Sequence, residues 1–133
     1  MSIVGIGIDL IDWSHIAPAE GTDDPWNDPF FTHTFSAAEQ AEAHASADPL
    51  RHFAGRFAVK EAFIKAGASL GEVYPDAVSA LRLERIETLA GPNNQPVTQL
   101  ADPLARTLPE TLTVHTSISH EDGRTVAVVL LEA

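Results

Sequence analysis

Residues 3–12 alternate in character, with Val4, Ile6, Ile8 and Leu10 on one face and Gly5, Gly7 and Asp9 on the other. The pattern predicts a strand whose apolar face packs on the core. The two glycines strip the opposite face of side chains, so another backbone or a ligand can approach it, and Asp9 is expected beside an open surface. Period-2 alternation returns in Leu81–Leu89 and in Leu112–His120. There Asp122-Gly123 signals a hairpin turn into a last strand, Thr125–Glu132. A short strand is expected at Val97–Leu100, after the turn Gly91-Pro92-Asn93-Asn94-Gln95-Pro96.

The period changes in the middle of the chain. Ser36 with Glu39 makes a capping-box pattern and predicts a helix over 37–47. Asp48-Pro49 is an N-cap with proline in the first helical position, and Leu50, Phe53, Phe57 and Ile64 recur at helical spacing up to Gly67. This is the strongest helix signal in the chain. Residues 17–35, with three prolines, Gly21 and the acids Glu20, Asp23, Asp24 and Asp28, read as a loop or irregular helix, and 101–108 reads as one short helix.

A chain of 133 residues is one domain in length, residues 1–133, and 44% hydrophobic against 20% charged residues is the balance of a folded protein. Eight basic against 19 acidic residues give a net charge of −11, which disfavours nucleic acid and anionic lipid as partners. With no cysteine, disulfides, thiolate metal sites and a cysteine nucleophile are excluded. The N-terminal apolar run lacks a basic leader and is broken by Gly5, Gly7 and Asp9, and no stretch approaches a membrane span. A soluble cytoplasmic protein is expected.

The chemistry concentrates on the central helix, where Arg56, Lys60, Glu61 and Lys65 fall within ten residues among alanines and apolar side chains. Glu61 and Lys65, one turn apart, would form an exposed ion pair on an ordinary helix. Set among apolar neighbours, such charges need partners or a function. If Asp9 and Glu61 converge, they supply the one or two carboxylates that Mg2+ favours when water and phosphate complete its shell, with Arg56, Lys60 and Lys65 balancing phosphate charge. Gly5-Ile6-Gly7 lacks a dinucleotide fingerprint, there is no phosphate-binding loop, and His120-Glu121 does not continue as a zinc protease motif. Ser117, Ser119 and His120 share one strand, where neighbours alternate faces, which argues against a hydrolytic triad there; His120 by itself reads as a strand-end histidine.

Three segments resemble motifs of one family in order: Gly5–Ile16 (GIGIDLIDWSHI), Ala54–Ala66 (AGRFAVKEAFIKA) and Ser117–Glu121 (SISHE), with Phe35-Ser36 and Glu39 as a weaker fourth. The chain thereby resembles the holo-acyl-carrier-protein synthases, a type of 4'-phosphopantetheinyl transferase. The resemblance implies an α+β fold with a small antiparallel sheet packed with helices, assembled as a homotrimer with active sites between subunits, so that Asp9 and the helix bearing Glu61 could meet across an interface. It implies transfer of 4'-phosphopantetheine from coenzyme A to a serine of an acyl carrier protein or of a carrier domain of a fatty-acid synthase. By the same resemblance Asp9 and Glu61 bind Mg2+, and Lys65 contacts the phosphates and assists departure of 3',5'-ADP. Arg56 and Lys60 lie near the nucleotide, His120 lies at the phosphate end of the cleft, and the base is Glu61 or a metal-bound water. Two positions depart from the family: His15 replaces an arginine that grips the acidic carrier, and Gln95 replaces a basic residue before Pro96. With the acidic 17–35 segment, these departures point to a carrier less acidic than usual. Two other readings use the same residues: another magnesium enzyme of phosphate esters, and a non-catalytic coenzyme A-binding module.

Overall fold

The computed structural model describes residues 1–133, and its organising contact is between one strand and one helix. Strand β1 (Ile3–Asp12) crosses helix α3 (Pro49–Gly67) with its glycine face inward. A Cβ on Gly7 would stand 2.7 Å from Ala66 N and press into the Ala62 carbonyl; one on Gly5 would meet the Ala66 carbonyl carbon at 3.1 Å. Backbone meets backbone here, and Ala58, Ala62 and Ala66 on the helix side are fully buried. The expectation for β1 is therefore corrected in one respect. Its glycine face does receive another backbone, but the isoleucine face points away from α3, leaving Ile6 64%, Ile8 57% and Leu10 67% exposed.

Helix α3 starts where the sequence predicts, with the Asp48 carboxylate accepting from Arg51 N at 3.2 Å. Its core face meets strand β5 (Arg124–Glu132) beside β1, and strand β4 (Thr113–Glu121) completes an antiparallel sheet of order β1-β5-β4. Asp122 (φ 50°) and Gly123 (φ 73°) form the hairpin turn, both in the left-handed region that a two-residue hairpin requires. The register sets Asp9 opposite Ala127 and His120 opposite Thr125.

Helix α2 (Ala37–Ala45) opens with the full capping box: Ser36 Oγ accepts from Glu39 N at 3.1 Å, and Glu39 Oε1 accepts from Ser36 N at 2.9 Å. It packs on α3 and on a second hairpin, β2 (Ile86–Ala90) with β3 (Pro96–Leu100), whose turn places Asn94 at φ 60°. Phe31, Phe35 and Phe53 fill the space between, with ring centroids of Phe35 and Phe53 4.7 Å apart.

Three local expectations change. Residues 29–34 form a helix, α1, started by Asp28 accepting from Phe30 N at 2.8 Å and held by burial of Phe31. The strand expected from Leu81 begins only at Ile86; Leu83–Arg85 is a 3-10 turn, which lets the carbonyls of Leu83 and Ile86 converge on one ammonium. Residues 101–108 hold a single 3-10 turn, Ala105–Thr107, because Pro103 and Pro109 bias their predecessors away from helix. Helix α4 (Pro75–Ala80) lies in the region of mixed signals. No helix is long and apolar enough to cross a membrane.

Candidate active site

Close approach of β1 to α3 sets the first half of the site. Asp9 follows the two glycines on the inward face, and Lys65 reaches it from the last turn of α3: Nζ lies 3.0 Å from Asp9 Oδ1 and 3.0 Å from the Ile8 carbonyl. The pair is asymmetric, with the Asp9 side chain 13% and the Lys65 side chain 56% exposed. Asp9 Oδ2 is buried and has no partner in the chain. A carboxylate oxygen in that position calls for a cation or a donor from elsewhere. Glu61 stands one turn before Lys65; burial pushes its carboxyl above the usual range, the Asp9 charge adds to that, and Lys65 opposes it. Asp9, Glu61 and Lys65 thus converge within a single chain, which corrects the expectation that Asp9 and α3 meet across a subunit interface.

Upstream along α3 the charges are of the other sign. An open cleft of about 350 Å³ is lined by Arg51, His52, Arg56, Asn94, Pro96 and His120, among others. Gly55 lets the His120 ring seat against the helix, since a Cβ there would stand 3.2 Å from His120 Cε1. Glu42 of α2 organises the floor: its carboxylate accepts from Ala90 N at 3.2 and 3.1 Å, lies 3.4 Å from Arg56 Nη2 and 3.5 Å from His52 Nε2. Arg56 Nε and His52 Nε2 are buried without hydrogen-bond partners in the chain. Burial, with Arg56 next in weight, holds His52 below the usual histidine range. For His120 the causes are burial, then Arg51 and Arg56. The basic lining of this cleft suits an anionic ligand.

Lys60 does not belong to either half. It is fully buried, its Nζ 2.8 Å from Glu39 Oε1 and bonded to the carbonyls of Leu83 and Ile86. The expectation that it lies near a nucleotide is corrected: although i, i+4 spacing puts it on the same helix face as Arg56, its ammonium is drawn to Glu39 of α2 and to the Leu83 and Ile86 carbonyls rather than to the cleft, and burial lowers its pKa against the pull of Glu39. Sequence reasoning passed over Arg51 and His52. The available signal was Arg51, His52, Gly55 and Arg56 at helical spacing on one face, with a glycine in the middle marking a close approach.

The two halves lie on the α3 side of the same sheet, two strands apart. Strand spacing and rise put Asp9 and His120 about 12 Å from each other, with α3 passing between them. A family model described as the 4'-phosphopantetheinyl transferase superfamily matches residues 5–129. The chain belongs to this superfamily. Within it, the chain is a member of the holo-acyl-carrier-protein synthase family. The holo-[acyl-carrier-protein] synthase of Mycolicibacterium smegmatis is 35% identical over 133 residues, covering 99% of this chain and 98% of its own. In structure, the chain is similar to the acyl carrier protein synthase of Mycobacterium tuberculosis (TM-score 0.72, 30% identity, 99% of each chain). It is also similar to the synthase from Chronobacterium ammoniagenes in complex with coenzyme A (TM-score 0.76, 27% identity, 99% of this chain and 98% of that one). These full-length matches make the α+β fold with its small antiparallel sheet that of the synthases, and phosphopantetheinyl transfer the chemistry of the family.

Proposed function

We propose that this chain, residues 1–133 acting as one domain, transfers 4'-phosphopantetheine from coenzyme A to a carrier serine in a magnesium-dependent reaction that releases 3',5'-ADP. The observation that carries the proposal is the buried, unpartnered Asp9 Oδ2 beside Glu61 and Lys65. Two carboxylates with an open side fit Mg2+, which takes few protein ligands and completes its shell from water and phosphate. Asp9 and Glu61 would hold the ion, and it would supply charge stabilisation at the pyrophosphate.

The chain's own groups account for the remaining chemistry. The carrier serine oxygen attacks the β-phosphorus, the bond from that phosphorus to the oxygen bridging to the α-phosphate breaks, and 3',5'-ADP leaves. Lys65 places its ammonium where negative charge accumulates on the departing phosphate. Glu61, with its carboxyl raised above the usual range, is suited to take the serine proton. Arg56, Arg51 and His120 in the upstream cleft bind the nucleotide phosphates, and Asn94 and Pro96 border its base.

Assembly as a homotrimer belongs to the same proposal, and an exposed face of the sheet supports it. Ile6, Ile8 and Leu10 form an exposed apolar stripe on the outer sheet face, continued on β5 by the half-buried Val126, Val128 and Leu130. A patch of this kind on a monomer marks an interface. Assembly through it would let the Asp9 half of one subunit and the His120 half of its neighbour share one coenzyme A. Ile8→Glu is expected to sediment as monomer; a trimer of unchanged stability would exclude this face. The partner carrier is set by the exposed acids Glu20, Asp23, Asp24 and Asp28 and by His15, which favour a carrier of low negative charge, such as a domain of a fatty-acid synthase. A free, strongly acidic carrier protein binding as tightly as such a domain would defeat that preference.

The testing experiment is chromatographic detection of 3',5'-ADP from coenzyme A and Mg2+, with and without an apo carrier. Release only with carrier supports transfer. Release without carrier would indicate another magnesium enzyme of phosphate esters, and tight coenzyme A binding without release a non-catalytic module.

A further inference from the structure

His120 is not held by the helix it touches but from behind, by a buried hydroxyl. Thr125, its cross-strand partner, is fully buried, and its Oγ1 lies 2.6 Å from His120 Nδ1. The same oxygen lies 2.8 Å from Trp13 Nε1, and Trp13 meets the His120 ring edge-on at 6.2 Å between centroids. An indole N–H can only donate, so Thr125 Oγ1 accepts from Trp13. The hydroxyl has one proton and no third partner within the chain. Were His120 Nδ1 also to donate to Oγ1, that proton would be buried without an acceptor, at a cost typical of an unsatisfied polar group.

We infer that Trp13 and Thr125 are positioning residues that direct the Thr125 proton to His120 Nδ1, and thereby fix His120 as the tautomer carrying its hydrogen on Nε2. Nε2 makes no hydrogen bond within the chain, and His120 lines the cleft that also holds Arg51 and Arg56. His120 then meets a phosphate as a neutral donor with a set direction. The flanking arginines supply the charge, and the imidazole supplies the geometry. A lowered histidine pKa, from burial and from Arg51 and Arg56, agrees with a neutral ring. A protonated ring would present Nδ1–H to a hydroxyl already accepting from Trp13 and would leave the Thr125 proton without an acceptor. The role of the relay in ligand binding rests on the proposed nucleotide cleft, whereas the tautomer itself does not.

The test is long-range 1H–15N correlation of the histidine side chains in the full chain at neutral pH, with the His120 signals identified by their loss in His120→Asn. The expected pattern has Nε2 protonated and Nδ1 bare. Thr125→Val, which keeps the shape and removes the hydroxyl, is expected to give a tautomer mixture and to weaken 3',5'-ADP binding by the fraction of rings that leave the Nε2–H form, about twofold for an even mixture. Thr125→Ser should restore both, and Trp13→Phe should mix the tautomers while leaving the hydroxyl in place. Thr125→Ser and Trp13→Phe keep the test open should Thr125→Val not fold. A wild-type ring protonated on Nδ1 overturns the inference, as does a Thr125→Val protein with an unchanged pattern or unchanged 3',5'-ADP affinity. A protein that shows the expected tautomer and its effect on 3',5'-ADP binding, yet never modifies a carrier, supports this inference and refutes the transferase reading.

Discussion

Replacing Lys60 by methionine separates a structural from a nucleotide-binding role for a residue that sits in the middle of the family's helix motif. Its ammonium neutralises Glu39, which is 1% exposed, at 2.8 Å, and it gathers the carbonyls of Leu83 and Ile86. In Lys60→Met the Glu39 carboxylate keeps its backbone donors, Ser36 N at 2.9 Å and Thr88 N at 3.0 Å, but loses its counter-charge in a dry site. Breaking a buried pair from one side typically costs about 3–5 kcal/mol. Set against a total of roughly 5–15 kcal/mol for a domain, that is a large share of the stability. Denaturant unfolding, with soluble protein prepared at low temperature, should show a loss of this size. The KM for coenzyme A of the folded protein should change less than twofold. Adding Glu39→Gln removes the stranded charge while an amide oxygen can still accept one backbone N–H, so the double variant should recover part of the loss. A Lys60→Met protein within about 0.5 kcal/mol of wild type but with a tenfold higher KM for coenzyme A would refute the reasoning and return Lys60 to the nucleotide.

Three further outcomes follow from the geometry. Gly7→Ala drives a methyl group into the Ala62 carbonyl, so strand and helix must separate; a loss of about 1–3 kcal/mol and a large drop in transfer rate are expected, and stability equal to wild type would show that the contact is loose. Glu61→Gln should abolish transfer yet stabilise the ligand-free protein at neutral pH. Because the folded pKa of Glu61 is raised, its contribution is present below the unfolded value near 4.5 and is lost as pH climbs through the folded value, so melting curves of wild type, but not of Glu61→Gln, should carry that slope. Glu42→Gln keeps an acceptor for Ala90 N but removes the negative charge beside Arg56 and His52, so 3',5'-ADP should bind more tightly by up to about 1 kcal/mol, whereas Glu42→Ala should loosen the β2–β3 hairpin; weaker binding by the Gln variant in a calorimetric titration would contradict this.

What the sequence made legible was local and periodic. The capping box at Ser36, the Asp48-Pro49 helix start and the Asp122-Gly123 turn are each written in consecutive residues, and each forms as expected. The orientation of β1 was not legible, because alternation identifies two faces and cannot say which one is inward. Here backbone approach through Gly5 and Gly7 outweighs side-chain hydrophobicity, and the stripped face is the buried one. Lys60 shows the same limit for helices. Spacing places it on a turn with Arg56, but a single Glu39 on another helix decides that its charge is buried rather than offered to a ligand. Asp9, Glu61 and Lys65 were recognisable from family motifs, and their convergence depends on a strand and a helix separated by some fifty residues. Arg51 and His52 escaped notice because exposed basic residues on a helix are common, and only the fold sets them beside His120 and Asn94.

The most direct measurement of the central claim is the intact mass of an apo carrier domain after incubation with this protein, coenzyme A and Mg2+. The account predicts a gain of one 4'-phosphopantetheine group, abolished by chelating the metal or by Asp9→Asn. An unmodified carrier under conditions where coenzyme A binds, or modification that persists with metal chelated and Asp9 replaced, would contradict it.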